Sequence, residues 1–305
     1  MRWDEQRYYS FSYWVKHRFG AKIYKASLDG GMTCPNRDGS LGNTGCIFCS
    51  EGGSGDYAGD SRQSIFEQIE EQKKLLGAKN KSGKYIAYFQ AFTNTYAPLS
   101  YLKEIYSQAL AHPDVIALSI GTRPDCINKQ IVEMIASLSR QKPIWVELGL
   151  QTIHPKTASY IRRGYPLSTF DGALQLLKEY QIEVVTHIIL GLPGEGEKEI
   201  LETIHYLNNC KIDGIKLHLL HVLTNTDLAK DYENQKFQVL TKEAYISLLK
   251  LSLGHISPDI VIHRLTGDGP KDLLIAPLWS LNKRGLLNDF HRSLIRDDIW
   301  QGKFL

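Results

Sequence analysis

Cys34, Cys46 and Cys49 fall within one short run, Cys34-Pro-Asn-Arg-Asp-Gly-Ser-Leu-Gly-Asn-Thr-Gly-Cys46-Ile-Phe-Cys49. A Cys-x-x-Cys pair closes a small chelate, and the glycine-rich, proline-containing stretch before it lets a third thiol fold back onto the same centre. Three thiolates are informative because they are one ligand short. A [4Fe-4S] cluster held by three cysteines keeps one iron open. A structural zinc instead needs a fourth ligand, for which His17 is a candidate. A lone Cys-x-x-Cys also reads as a redox pair. The chain has five cysteines, and an odd, clustered set argues against a secreted disulfide framework and for metal ligation in a reducing compartment. Cys126 and Cys210 stand apart in apolar, helix-adjacent contexts that suit buried small hydrophobes.

Such ligands need a scaffold. Six β-rich apolar runs, at 23–28, 85–91, 115–121, 144–150, 183–190 and 214–219, alternate with helix-period segments at 64–76, 99–111, 129–139, 169–180 and 197–208. That alternation predicts repeated βα units, hence an α/β fold with a parallel sheet curled into a partial or complete barrel of roughly (β/α)6. The chain divides into an N-terminal aromatic and basic strap (1–22), a barrel core (23–222) and a C-terminal extension packed on the barrel (223–305). The extension holds a helix near 242–255, a possible strand at 259–264, a Gly267-Asp268-Gly269-Pro270 turn and a final helical stretch. In parallel barrels the chemistry gathers on loops after the strand C-termini, and the cysteine run follows the first predicted strand. On the same face, Lys216, His218 and His221 are candidates to supply a proton or bind an anionic substrate group. Glu147 and the Thr122-Arg-Pro-Asp125 run either line a substrate pocket or pair internally.

With 305 residues, 43% of them hydrophobic, the chain can bury one large core. A formal charge of +3 is too small for a generic nucleic-acid coat, so any nucleic-acid surface must be local. One candidate is the first 25 residues, where Arg2, Arg7, Lys16, Arg18, Lys22 and Lys25 interleave with Trp3, Tyr8, Tyr9, Phe11, Tyr13, Trp14, Phe19 and Tyr24 against only Asp4 and Glu5. Basic groups neutralise phosphates while aromatics stack on unpaired bases; alternatively the segment is an amphipathic strap whose aromatics pack on the barrel. No run of about 18 apolar residues occurs, and the N-terminus lacks the uninterrupted apolar stretch of a signal peptide. The expectation is a cytoplasmic protein with no membrane partner.

The Cys-x-x-Cys pair with Phe48 before its last cysteine, following a first barrel strand, resembles the cluster loop of the radical S-adenosylmethionine (SAM) superfamily. The commonest pattern there spaces the first two cysteines by three residues, and this chain uses eleven. That spacing is similar to the branch containing the elongator catalytic subunit and the YtqA/YhcC-type proteins. The likeness to the YtqA/YhcC type covers nearly the whole chain, including Tyr88-Phe-Gln-Ala-Phe-Thr-Asn-Thr-Tyr-Ala-Pro98, Glu147-Leu-Gly-Leu-Gln151 and His187-Ile-Ile-Leu-Gly-Leu-Pro-Gly194.

The resemblance implies a radical SAM partial TIM barrel and a [4Fe-4S] cluster on Cys34, Cys46 and Cys49. Its open iron would chelate SAM, and reductive cleavage would give a 5′-deoxyadenosyl radical that removes a hydrogen atom from the substrate. It places Phe48 near the adenine, with Gln151 and Arg163 as SAM contacts. Gln90 and Thr93 stand where the family usually has a carboxylate gripping the SAM amine, and His187 where it usually has an acidic ribose contact. Gly191-Leu-Pro-Gly194 resembles a turn that approaches the adenine. Because elongator-type relatives act on the wobble uridine, the resemblance also implies tRNA as partner and a modified C5 side chain, such as carboxymethylaminomethyl converted to aminomethyl. A low-potential electron donor such as flavodoxin or ferredoxin is implied too. The chain leaves no room for the elongator acetyltransferase domain, so acetyl-CoA chemistry is expected to be absent. Two other readings stay open: a radical SAM enzyme for a small molecule such as a tetrapyrrole, and a non-enzymatic zinc-binding RNA-interaction protein.

Overall fold

Seven parallel strands form one curled sheet in the order β1 (Tyr24–Leu28), β2 (Tyr85–Phe89), β3 (Val115–Thr122), β4 (Ile144–Gln151), β5 (Glu183–Leu190), β6 (Gly214–Leu219) and β8 (Val261–Arg264). β7 (Val222–Leu223) and β9 (Leu274–Ala276) pair separately and antiparallel. The computed structural model describes residues 3, 4, 6–53, 55–77, 80 and 82–305; Arg2 and Glu5 of the strap lie outside the described residues. Helices α2 (Ile65–Leu76), α3 (Leu99–Ala111), α4 (Lys129–Ser139), α6 (Leu167–Glu179), α7 (Glu197–Asn209) and α9 (Lys242–His255) connect the strands. Their starts are fixed locally: Ser64 and Glu67 form a reciprocal capping box on α2, and Asn128 and Thr241 cap α4 and α9. No described helix is long and apolar enough to cross a membrane.

Strand alternation sends one set of side chains outward and one inward. Outward-facing Phe89, Leu118, Ile120, Val146, Leu148, Ile188 and Leu217 join the helices in the main core. The inward set is layered. Ile86, Ala117, Trp145 and Val185 form an apolar floor near the strand N-termini. Above them, one strand step on, come Lys25, Tyr88, Ser119, Glu147, His187 and Lys216, and higher still Gln90, Gly121, Gly149 and His218.

The six expected strands are all present, two with the expected ends and four with an end shifted by one or two residues. β8 comes from the segment assigned to the C-terminal extension, yet it is the seventh strand of the same sheet. It pairs with β6 across a register shift that sets Ile215 opposite Ile262 and Lys216 opposite Arg264. Such a bulge lets consecutive residues face the same side. His263 packs on the floor rings, 4.4 Å from Phe11, while Arg264 faces the cavity above.

The strap resolves one of the open choices. Ser10 caps helix α1 (Phe11–Phe19), which at nine residues is shorter than the roughly 12 an isolated helix needs. Docking therefore holds it: the Ile262 amide donates to the Tyr9 carbonyl at 2.7 Å, Val15 is buried, and Trp14 meets Trp145 edge-on at 5.7 Å. Phe11 and Trp14 close the N-terminal end of the barrel, opposite the cysteine loop. For these two rings the packing agrees with the alternative of an amphipathic strap. Three of the cations are engaged as well: Arg7 pairs with Asp298, Arg18 with Glu183, and Lys25 points into the barrel.

Candidate active site

The cysteine run occupies the long connection between β1 and α2. Its turns are set by the backbone, with the Arg37 amide donating to the Cys34 carbonyl at 2.8 Å and the Cys49 amide to the Cys46 carbonyl at 3.1 Å. Arg37 ties the loop together by donating to the carbonyls of Ser50 (2.5 Å) and Cys49 (3.3 Å). Asn36, buried, donates to the Arg162 carbonyl at 2.7 Å and lies 3.4 Å from the Cys46 sulfur. The three thiols line one wall of a cavity of about 430 Å³ at the C-terminal end of the sheet.

This wall suits thiolates. Hydrogen bonding to Cys49 pulls the Cys46 thiol down to about 7 against the effect of burial, helped by the charges of Arg123 and Arg37 and by Asn36. Cys49, sharing that bond and buried, is pushed up. Arg123 is fixed by a two-point ion pair with Asp125, at 2.9 and 2.7 Å. Three thiols facing a cavity, with cations beside them and an amide N–H near one sulfur, fit a cluster that keeps one iron open. The zinc alternative loses its proposed fourth ligand. His17 sits on α1 at the other end of the barrel, its Nδ1 2.9 Å from the Tyr13 carbonyl.

Phe48, Gln90, Thr93, Gln151, Arg163, His187 and His218 all line the same cavity as the thiols. Gln151 ends β4 with φ +64°, and Phe92 beside it in the cavity wall has φ +55°. Each left-handed residue costs about 1–2 kcal/mol, and such strain persists where surrounding structure imposes it. The Phe92 amide is held by the Gly53 carbonyl, and its ring lies 5.7 Å from the Arg37 guanidinium. Arg163 differs from the expectation of a ligand contact. Its guanidinium donates to the carbonyls of Leu150 (3.2 Å), Thr152 (2.5 Å) and Tyr165 (3.0 and 3.1 Å), so it clamps the end of β4 and the turn after it.

Below the thiols lies a charged layer centred on Glu147, which is completely buried. Its Oε1 accepts from Lys25 (2.7 Å), Ser119 (2.6 Å) and Trp145 (3.3 Å), and its Oε2 from His187 (2.8 Å) and Lys216. Burial alone would raise the Glu147 carboxyl, but Lys216, Lys25 and His187 outweigh it and hold the group well below the usual carboxylate range. Burial, then the charge of Lys216, lowers His187 to about 4, so its imidazole is neutral near pH 7. Lys216 also bonds the Tyr88 hydroxyl at 3.0 Å and is almost fully buried. The structure thus corrects its assignment as a catalytic group: it positions Glu147 and Tyr88 from beneath the cavity. His218 is on the cavity wall, with its Nε2 buried and unpartnered among the described residues. Cys126 and Cys210 do not line the cavity.

Sequence reasoning passed over Asn36 and Arg37 as individual functional residues, although both stand inside the Cys34-Pro-Asn-Arg motif. It also missed Arg264, which has no local signal because only the β6–β8 bulge turns it inward.

Residues 39–207 match the family model described as the radical SAM superfamily, and residues 212–296 the one described as the radical SAM C-terminal domain. The chain is 43% identical over 300 residues to the protein YtqA of Bacillus subtilis, covering 98% of this chain and 93% of that one. It is 25% identical over 163 residues to a tRNA uridine(34) acetyltransferase of Methanocaldococcus jannaschii, covering 52% of this chain and 30% of that protein. The structure of Methanocaldococcus infernus Elp3 with an N-terminal deletion superposes with a TM-score of 0.67 at 17% identity, over 78% of this chain and 60% of that one, a likeness of fold. Since the superfamily model spans over half of the chain and the 43% identity runs along nearly all of it, the protein belongs to the radical SAM superfamily, whose cofactors are a [4Fe-4S] cluster and SAM.

Proposed function

We propose that this radical SAM enzyme modifies the C5 side chain of the wobble uridine in tRNA. The observation that carries the reading is the single cavity that three thiols share with an opposing polar wall of His187, His218 and His221. Its volume of about 430 Å³ is within the range of small-molecule sites, and an unpaired or flipped nucleotide is the form in which a base enters such a pocket. The distant similarity to a protein named for tRNA uridine(34) supplies the substrate class. Once loaded, the cluster and SAM supply a 5′-deoxyadenosyl radical for hydrogen-atom removal.

The chain's own residues do the rest. Cys34, Cys46 and Cys49 hold the cluster, while Arg37 and Arg123 offset the thiolate charge. Phe48, Gln90, Thr93 and Gln151 bind SAM, and Arg163 keeps the β4 end in place for them. His218 meets the substrate. Electrons come from a low-potential donor of the flavodoxin or ferredoxin kind, and the work is done in the cytoplasm, where tRNA is.

The test compares wobble-uridine nucleosides in tRNA from a deletion strain with those from the complemented strain. A nucleoside that shifts in mass and is restored by the gene supports the assignment; an unchanged profile removes it. One observation favours the second reading, a small-molecule substrate such as a tetrapyrrole: Phe11, Trp14 and Phe19 of the strap pack against the barrel floor rather than standing free as a platform for bases. Under that reading tRNA neither binds with a salt-dependent affinity nor stimulates SAM cleavage.

A further inference from the structure

The charges inside the barrel do not balance. Lys25, Lys216 and Arg264 are three inward-facing basic residues around one carboxylate, Glu147, and burial lowers both lysines from their ordinary value while arginine keeps its charge. Glu147 already accepts from Lys25, Ser119, Trp145, His187 and Lys216. Two further carboxylates on the cavity wall are also engaged: Asp56 accepts from Ser50 at 3.1 Å, and Asp268 pairs with Lys283 at 2.5 Å. The guanidinium of Arg264, partly buried on the same wall, has no side-chain hydrogen bond or ion pair among the described residues. A guanidinium withdrawn from bulk water without a counter-ion is unfavourable until an anion reaches it.

A second feature points the same way. The Nε2 atoms of His218 and His221 are buried and unpartnered among the described residues, and unsatisfied buried nitrogens on a cavity wall are places where a ligand completes the bonding. The turn at 267–270 lies over both rings; a Cβ added at Gly267 would sit 3.5 Å from His218 Nδ1 and 3.6 Å from His221 Cε1. Burial, together with the charges of Arg264 and Lys216, keeps His218 neutral, so it has one N–H to donate.

We propose that Arg264 and His218 form a carboxylate-binding subsite, so that the substrate whose C–H bond is attacked carries a carboxylate close to the reacting carbon. Arginine's planar fork gives two parallel bonds to a carboxylate, and the imidazole N–H supplies a third. The Lys216–Glu147 pair underneath is self-neutralised and leaves the charge of Arg264 to the ligand. This inference rests on the radical SAM reading of the cavity and sharpens it by naming a substrate group; it does not depend on the substrate being tRNA.

The test uses the cluster-reconstituted full chain with saturating SAM and three probes: N-acetylglycine, its neutral amide N-acetylglycinamide, and inorganic phosphate. Binding of the two organic probes is followed by saturation-transfer NMR titration, and that of phosphate by its displacement of N-acetylglycine. N-acetylglycine is expected to bind about tenfold more tightly than the amide, the scale of one charge-assisted pair. Arg264→Gln should bring the two within about twofold, and Arg264→Lys should keep part of the preference. Melting curves for each variant separate lost binding from lost folding. Equal binding of acid and amide, or a preference that survives Arg264→Gln in a folded protein, overturns the subsite. A preference for phosphate assigns the charge to a nucleotide backbone and overturns the carboxylate. Probe binding that is seen without SAM and abolished by it assigns the subsite to the cofactor and also overturns the proposal. The tRNA reading fails separately, on an unchanged nucleoside profile, without altering the probe result.

Discussion

The two ends of the barrel interior are built on opposite principles. Toward the floor rings close on rings, and the Glu147 carboxylate just above them takes five donors from five strands. At the mouth stand left-handed Phe92 and Gln151, the unpartnered Nε2 atoms of His218 and His221, and an uncompensated guanidinium. The difference separates residues that hold the sheet from residues that await something.

The sharpest break comes from the mouth. Replacing Cys34, Cys46 and Cys49 together with alanine should abolish iron–sulfur loading and lower reductant-dependent 5′-deoxyadenosine formation at least about a thousandfold, while the melting temperature moves by only about 2–4 °C. The floor should answer in the reverse sense. Glu147→Ala strands Lys25 and Lys216 without their counter-ion and should cost about 3–5 kcal/mol in urea unfolding; a loss under about 1 kcal/mol would mean that the network is not structural.

The same layer predicts a pH profile. His187 is lowered from an ordinary value of 6.5 to about 4 by burial, then by Lys216. The unfolded chain therefore takes up a proton at a higher pH than the native one. Stability is full above pH 6.5 and drains away as pH falls toward 4, by on the order of 3 kcal/mol in all. Urea titrations at pH 7, 5.5 and 4.5 should show this decline, and His187→Asn should flatten it. The smallest effect tests strain at the mouth: Gln151→Gly relieves the left-handed backbone and should raise stability by about 1 kcal/mol while weakening SAM binding. Lost stability in that variant would show that the Gln151 amide, within 2.9 Å of the Gly149 and Leu150 carbonyls, contributes more than the strain costs.

Most of the barrel was legible because its signal is local. The strands over 115–121 and 183–190 and the helices over 99–111 and 129–139 are written in periods of two and 3.6 residues, and their boundaries held to within about two residues. What escaped was non-local. The strand expected at 259–264 is present as β8, but its membership of the main sheet depends on hydrogen bonding to β6, more than forty residues earlier. Arg264 follows from that bulge and was invisible for the same reason. Lys216 was legible as a polar residue at a strand end but not as a buried one, since its fate is decided by Glu147 on β4. The short helices α5 (Pro155–Tyr160) and α8 (Asp227–Glu233) escaped because so few turns carry little periodicity. The thiol ligands were plain from spacing, whereas Asn36 and Arg37 needed the folded loop to show whom they serve.

Closing the barrel from below with Phe11, Trp14, Trp145 and His263 makes the interior a cul-de-sac. Whatever lodges between the thiols and His218 arrives through the mouth and departs by the same way. Solvent exclusion during radical chemistry then falls to the occupant: a large substrate seated across the opening is itself the stopper, and a fragment too small to span it would leave the vessel uncorked.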